Sequence, residues 1–533
     1  MRCGEGGGCN PGRRGEAEAR RLVKGRKLWL VRWLMMLCMV SSGCASAMDY
    51  HVSPTGSDSN PGTAAEPWQS IAKANSVNLE PGDRVLFEGG KTFDGTILLD
   101  GKDSGTSDKK VVVSSYGEGR ATINGGNGSG LVAEGCSYLV IRELNFVGSG
   151  RKEGNTENGV SLSDGEGLEV DEIDVSGFRG SGLLLGGLRD ARATHVYAHE
   201  NGAGGIAVGG GRPPDERWSE RVYIGYCVAE NNPGNPVNLT NHSGNGIVVG
   251  TVKQCVIEYC EAMNNGWDMP RKGNGPVGIW AWNADKVVIQ FCVAHHNKSP
   301  GWDGGGFDFD GGVTNSIMQY NYSYENDGPG YFLCQYPTAS VWKNNIVRYN
   351  ISVNDGAKNN VGCGIEVIAN DKGMSDAEVY GNTVYNEKGG AVGFHSIPVP
   401  GVRFRNNIFV TRGEIIEGDW SHARFEGNSY WRIDGGEFGV GGYESLEDWA
   451  AATGQEKIGD AIVGRYADPL LVEAGSVPEI KPEDLAKLAA YQLREGSPCL
   501  GAGIPVEDNG GRDFWGNGLP DDEKPSIGAW EKP

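Results

Sequence analysis

Between roughly residues 110 and 430 the apolar positions come in short runs that alternate with polar ones, the two-residue period of a strand. Val287-Val288-Ile289-Gln290-Phe291 is one such run and Val256-Ile257-Glu258-Tyr259-Cys260 is another. No 3.6-residue apolar stripe crosses the same stretch, so the pattern predicts strands and not helices. The runs end in Gly, Asn or Asp, residues that tolerate the left-handed backbone of tight turns. Run and turn repeat as a unit. Cys227, Cys260, Cys292, Asn321, Asn350, Asn382 and Asn407 anchor successive copies, with steps of 33, 32, 29, 29, 32 and 25 residues. Weaker copies precede them at Tyr138–Gly148, Leu168–Gly177 and Ala193–Asn201.

A unit of this size cannot bury its own inner face, whereas stacked copies close a continuous core. The expected fold is therefore all-β: a right-handed parallel β-helix, one coil per repeat, with capping segments at both ends. A propeller is the competing repeat, but its blades run to about 40–45 residues and carry regular hairpin signals that this chain lacks. The expected organisation is an export leader over 1–47, an N-terminal cap and first coils over 48–110, the β-helix over 111–430, and a C-terminal capping region over 431–533.

The leader reading rests on charge and hydropathy. Residues 1–47 hold nine Lys/Arg against three Glu, then the apolar run Trp33–Val40, then Ala45-x-Ala47 before Met48. The run is too short to span a bilayer. Gly43-Cys44 offers an alternative, lipid anchoring at Cys44. The expected location is secreted or periplasmic, with no transmembrane helix.

Both flanks of the repeat carry recognisable segments. Tyr50-His51-Val52-Ser53-Pro54 leads to Pro67-Trp68-Gln69-Ser70-Ile71, a short amphipathic helix, and to Pro81-Gly82-Asp83-Arg84-Val85. The tail carries Asp468-Pro469-Leu470, Ser497-Pro498-Cys499, Arg512-Asp513-Phe514-Trp515-Gly516-Asn517 and Ile527-Gly528-Ala529-Trp530. Together with the coils, these segments resemble the caps of secreted right-handed parallel β-helix proteins, the pectin-lyase-like polysaccharide lyases and glycoside hydrolases. The resemblance covers nearly all of residues 48–533. It implies a polysaccharide or oligosaccharide as the binding partner and does not specify a reaction.

Composition narrows the choice. The 533 residues include 86 Gly and carry a net charge of −21, which argues against nucleic acid, whose phosphates need a basic surface. Eight Cys follow residue 47, without a close CxxC pair, and the strand-like runs that hold several of them predict free, buried thiols.

The densest polar and aromatic stretch runs from Gly278 to Gln335. Within it, strand alternation in Phe307-Asp308-Phe309-Asp310 puts both Phe in the core and both Asp outward, about 6.6–7 Å apart. Aligning coils on the Gly before each strand places Trp280, Asp308, Phe332 and Glu366 in one outward column. Trp282, Asp310, Cys334 and Ile368 form the next. Asp308 and Glu366, two coils apart, would be roughly 9–10 Å apart. Paired carboxyls near these spacings suit glycoside hydrolysis, one protonating the leaving oxygen and the other activating water. The expected catalytic set is Asp308, Asp310, Glu366 and His296, in an outward, solvent-facing groove. Trp280, Trp282, Trp302, Asp303 and Gln335 are expected to bind substrate, the Trp rings as platforms for sugars. No cofactor is called for. Calcium is the alternative use of the same carboxylates.

A glycoside hydrolase thus ranks first. A lyase of the same fold ranks below it, because an acidic groove repels uronate polymers. A non-catalytic glycan-binding surface protein is the reading from a different class. The chain is expected to act as a monomer.

Overall fold

A computed structural model describes residues 47–209, 218–356, 358, 362–369, 373–395, 401–520 and 523–533. The leader reading over 1–46 and the lipid-anchoring reading at Cys44 lie outside these residues. Among the described residues no helix is long and apolar enough to cross a membrane.

Strands stack in register from Asp49 onward. Each coil visits three faces. The first two share a 24-stranded parallel sheet, and the third is a separate 14-stranded parallel sheet. Two long strands, Asn245–Glu258 and Ile279–Gln290, run unbroken from the first face into the second. The repeat is therefore a three-sided parallel β-helix. It starts earlier than its strong sequence signal, since Asp49–Val52 already pairs with Arg84–Glu88.

The corners explain the polar punctuation. At the second corner Tyr226, Tyr259, Phe291, Tyr320 and Tyr349 all take positive φ, and at the third so do Asn231, Asn264, His296, Glu325 and Asn354. Single left-handed residues turn the chain there at modest cost. At the second corner the outward rings stack on one another, with centroids 5.1 Å apart for Tyr226–Tyr259 and for Tyr259–Phe291.

Just inside each of these corners a buried polar column runs along the helix. Asn321, Asn350, Asn382, Asn407 and Asn428 form one, each accepting from the backbone N–H of the residue below it in the column. Cys227, Cys260 and Cys292 continue that column toward the N-terminus, their thiols donating to nearby carbonyls. All eight described Cys are free. Asn201, Asn232, Asn265, Asn297, Asn326 and Asp355 form the column at the third corner. These columns satisfy backbone donors that a turn would otherwise strand.

The glycines preceding the first-face strands pack against this second column. A Cβ on Gly278 would come within 2.7 Å of Asn297 Nδ2 and of the Gly306 carbonyl. Glycine is required there by contact and not by its φ.

The ends differ from expectation in one respect. Helix Leu446–Thr453 closes the C-terminal coil, its buried Trp449 lying against Phe425. The later tail instead runs along the outside of the third face. Arg512 lies over Tyr320, Ala529 N–H donates to Thr383, and Gly528 N–H donates to the Asn406 carbonyl. This covers the outward residues Tyr322, Ile351, Val353, Ile408 and Val410 with a second apolar cluster. Those outward positions are apolar, and the tail is what keeps them from water.

Candidate active site

The first face carries a cleft of about 830 Å³. Its floor is a column of register-paired outward residues, one per coil: Leu184, Ala207, Val248, Trp280, Asp308 and Phe332. The neighbouring positions Trp282, Asp310, Cys334 and Ile368 also line it. The column alignment drawn from the glycines is therefore the register of the sheet, with Trp280 paired to Asp308 and Phe332 to Glu366.

Loops from the third corner, within 231–244, 264–278 and 296–306, wall one side. They tie to one another through backbone bonds, Trp302 N–H to the Gly273 carbonyl and Gly304 N–H to Pro276. This wall changes the exposure of the floor. Asp308 is 5% exposed and Trp280 4%, whereas both were expected to face open solvent. The indole N–H of Trp280 donates to Asn245 Oδ1 (3.1 Å), and His242 sits edge-on to the ring at 5.2 Å. Trp280 is therefore a fixed part of the floor and not an exposed platform. Trp282 (36% exposed) and Trp302 (63%) keep accessible faces.

Three carboxyl groups share the cleft. Asp303, carried on the loop in left-handed backbone, accepts the Gly275 N–H at 2.7 Å. Burial pushes its pKa up to about 7, and the charge of Asp310 adds to the rise. Asp310 accepts its neighbour's N–H, from Gly311, at 2.7 Å, and burial raises it to about 6. Asp308, between them in sequence, is raised well above the usual carboxylate range, first by burial and then by Asp310 and Asp303. Its Oδ1 has no hydrogen-bond partner among the described residues. His242, half-buried in the same cleft, is lowered to about 4 by burial and by Arg271, so it is neutral near pH 7.

Three expected site residues stand elsewhere. Glu366 follows Phe332 in the column but does not line the cleft. It is fully buried beside Gly393 and pairs with His395. His296 is a third-corner residue, bonded to His295 (2.8 Å) and Glu325 (3.1 Å). Gln335 is buried as the last residue of its strand, its side-chain N–H donating to the Ser340 carbonyl at 2.8 Å. Asn238, Asn241, His242, Asn245, Asn274 and Tyr336 line the cleft and were not picked out from the sequence. The long 231–244 connection between strands was the available signal for the first three. Among the described residues no three His, Cys, Asp or Glu side chains are grouped to hold a metal ion.

A three-faced parallel coil with conserved register and a roofed first face defines a pectin-lyase-like right-handed parallel β-helix. Residues 50–360 match the model of the Pel9A-like right-handed β-helix region, and the chain belongs to that family. It is 23% identical to a lacto-N-biosidase of Bifidobacterium longum subsp. longum over 91% of its own length. It spans only 36% of that longer protein. Among solved structures, a GH136 lacto-N-biosidase from Eubacterium ramulus is 18% identical, with 66% of this chain and 67% of that one covered and a TM-score of 0.48. Pectate lyase Pel9A is 17% identical, with 92% and 98% covered and a TM-score of 0.44.

Proposed function

We propose that the chain is an exported glycoside hydrolase acting on an oligo- or polysaccharide. The observation that carries this reading is the convergence of Asp303, Asp308 and Asp310 in one cleft with accessible Trp faces and no Lys or Arg among the described lining residues. Elimination from a uronate needs cations to neutralise the substrate's carboxylate. Hydrolysis needs one protonated and one ionised carboxyl, and environments that separate the two assign the roles. The similarity to a lacto-N-biosidase supports the same reaction class. The basic and apolar composition of residues 1–47 supports export.

Asp303, with a pKa near the working pH, is suited to protonate the leaving oxygen. Asp310, ionised above about pH 6, is the partner that acts on the anomeric carbon, directly or through water. Asp308 stays protonated, so the cluster holds one negative charge instead of three. This assignment differs from the pairing of Asp308 with Asp310 expected from strand alternation alone.

A pH profile follows. Asp310 must be ionised, so kcat/KM rises as pH increases through about 6. Asp303 must be protonated, so kcat/KM falls as pH increases through about 7. The expected result is a narrow bell with its maximum between these values, and Asp303→Asn should remove the alkaline limb. A flat profile from pH 5 to 8 refutes the assignment.

The activity itself is tested on a panel of xylan, β-glucan, galactomannan, pectin, alginate and aryl glycosides, including an aryl lacto-N-bioside. Both reducing ends and unsaturated-product absorbance are read. Reducing ends alone support hydrolysis, and the unsaturated signal supports a lyase. Parallel assays in EDTA and in millimolar calcium show whether the carboxylates work through a metal. Trp302→Ala should raise KM several-fold with kcat and thermal stability little changed, because the ring is exposed and packs on nothing that holds the fold. An unchanged KM removes Trp302 from the binding surface.

A further inference from the structure

The cleft is much longer on one side of its carboxyls than on the other. Asp308 is the fifth of six floor positions, with Trp280, Val248, Ala207 and Leu184 below it and Phe332 alone above. Four coil steps at about 4.8 Å make the lower arm roughly 19 Å long. Above the carboxyls the lining reaches only Phe332, Cys334, Tyr336 and Ile368. The next residue in the floor column, Glu366, is turned to His395 and is fully buried.

The two arms also differ in character. Leu184, Ala207 and Val248 are half-buried outward side chains, a shallow apolar strip, while Trp280 and Phe332 beside the carboxyls are buried. Asn238 and Asn241 stand along the same cleft. An apolar strip edged by amides matches a sugar chain, whose ring faces are apolar and whose rims carry hydroxyls. One sugar residue advances a chain by close to the rise of one coil. The described lining holds three Asp and no Lys or Arg, a balance that disfavours a polyanion, although Arg271 stands just behind it, near enough to act on Asp303 and His242.

We propose that the cleft binds an uncharged glycan lying along the helix axis, with about four residues on the N-terminal-coil side of the scissile bond and one or two on the other. The substrate is then an extended chain, cut near one end of its bound segment. This rests on the hydrolase reading above and goes beyond it in specifying chain length, charge and the asymmetry of the subsites.

The test is a chain-length series. Oligosaccharides of two to eight residues are prepared from the panel polysaccharide that yields reducing ends, and kcat/KM is measured for each. The expected result is a rise with each added residue to a plateau at about six, the number of floor positions. Ala207→Trp, which fills the middle of the long arm, should lower the ratio of kcat/KM for the hexamer to that for the dimer at least tenfold. The wild-type series stands as a test even if this variant folds poorly. Hydrolysis with kcat/KM flat beyond the disaccharide overturns the proposal and leaves the hydrolase reading intact. A plateau reached only with uronate chains overturns it as well. If no panel glycan is hydrolysed, the Asp310→Asn protein is applied to a printed array of neutral glycans. Binding that grows with length, and is lost in the Asp310→Asn/Ala207→Trp double variant, then supports the long arm without the reaction. Absence of binding overturns both readings together.

Discussion

Asp310→Asn is expected to lower turnover at least about a hundredfold, the low end of what a single acid–base group contributes, with the thermal midpoint unchanged. The side chain holds nothing in the core. Its described polar contacts are the adjacent Gly311 N–H and the Cys334 thiol, and an Asn oxygen can still accept there. What is lost is the negative charge. Asp303→Asn should be comparably damaging with a good leaving group absent, and much milder on an activated aryl glycoside that needs no protonation. Asp308→Asn should be mildest, because a neutral amide replaces a carboxyl that burial already keeps neutral. Steady-state kinetics on the three variants, with thermal melts beside them, discriminate these outcomes. A large loss in Asp308→Asn with full activity in Asp303→Asn would reverse the roles assigned to the two.

Asn350→Leu should destabilise the fold by roughly 2–6 kcal/mol without touching the cleft. The Asn350 side chain is buried in the second-corner column. It accepts from Asn321 N–H (3.0 Å) and Asn321 Nδ2 (3.1 Å), and it donates to the Met318 carbonyl (3.0 Å) and Asn382 Oδ1 (3.0 Å). Leucine nearly matches the volume but strands the backbone N–H of Asn321 and one of its two Nδ2 hydrogens, the other staying on the Ile289 carbonyl, each loss costing about 1–3 kcal/mol when buried unsatisfied. Asn350→Cys should cost less. In the same column Cys260 N–H already faces the Cys292 sulfur at 3.5 Å, so a thiol is a weak but tolerated acceptor. Urea unfolding of the two variants measures the difference. Equal losses would show that the column is held by packing alone.

The coil itself was readable because its requirements are local. Gly278, Gly306 and Gly330 precede their strands since a side chain there would strike the Asn column and the next coil, so each glycine marks the same place in its turn. Counting outward from them gives Trp280 beside Asp308 and Cys334 beside Ile368, the pairs found in the sheet. Exposure was not readable in the same way. Trp280 is covered by Asn245 and His242, which precede it by more than thirty residues, through a loop whose path no two-residue period records. Glu366 was misplaced for a related reason: its partner, His395, comes a full coil later. His296 looked reactive beside His295, yet its place follows from the corner it turns, where the equivalent residues are Asn264 and Glu325. Asp303 lies outside any strand, so alternation gave it no place among the paired carboxyls, and it was expected at the groove only as a substrate-binding residue.

The third corner divides labour within each coil. Cohesion passes through Asn265, Asn297 and Asn326, which bond coil to coil whatever the chain does next. The connections that follow range from the short 325–330 and 387–391 to the long 231–244 and 264–278, with register undisturbed on either side. An insertion at this corner therefore costs the scaffold little, because loop-closure entropy grows only slowly with length. Such a corner lets a lineage remodel its recognition surface by small insertions and deletions while inheriting the frame intact. For the protein engineer it marks where foreign loops can be grafted, one coil at a time, around the strand that carries Asp308, sparing only the 296–306 loop that carries Asp303.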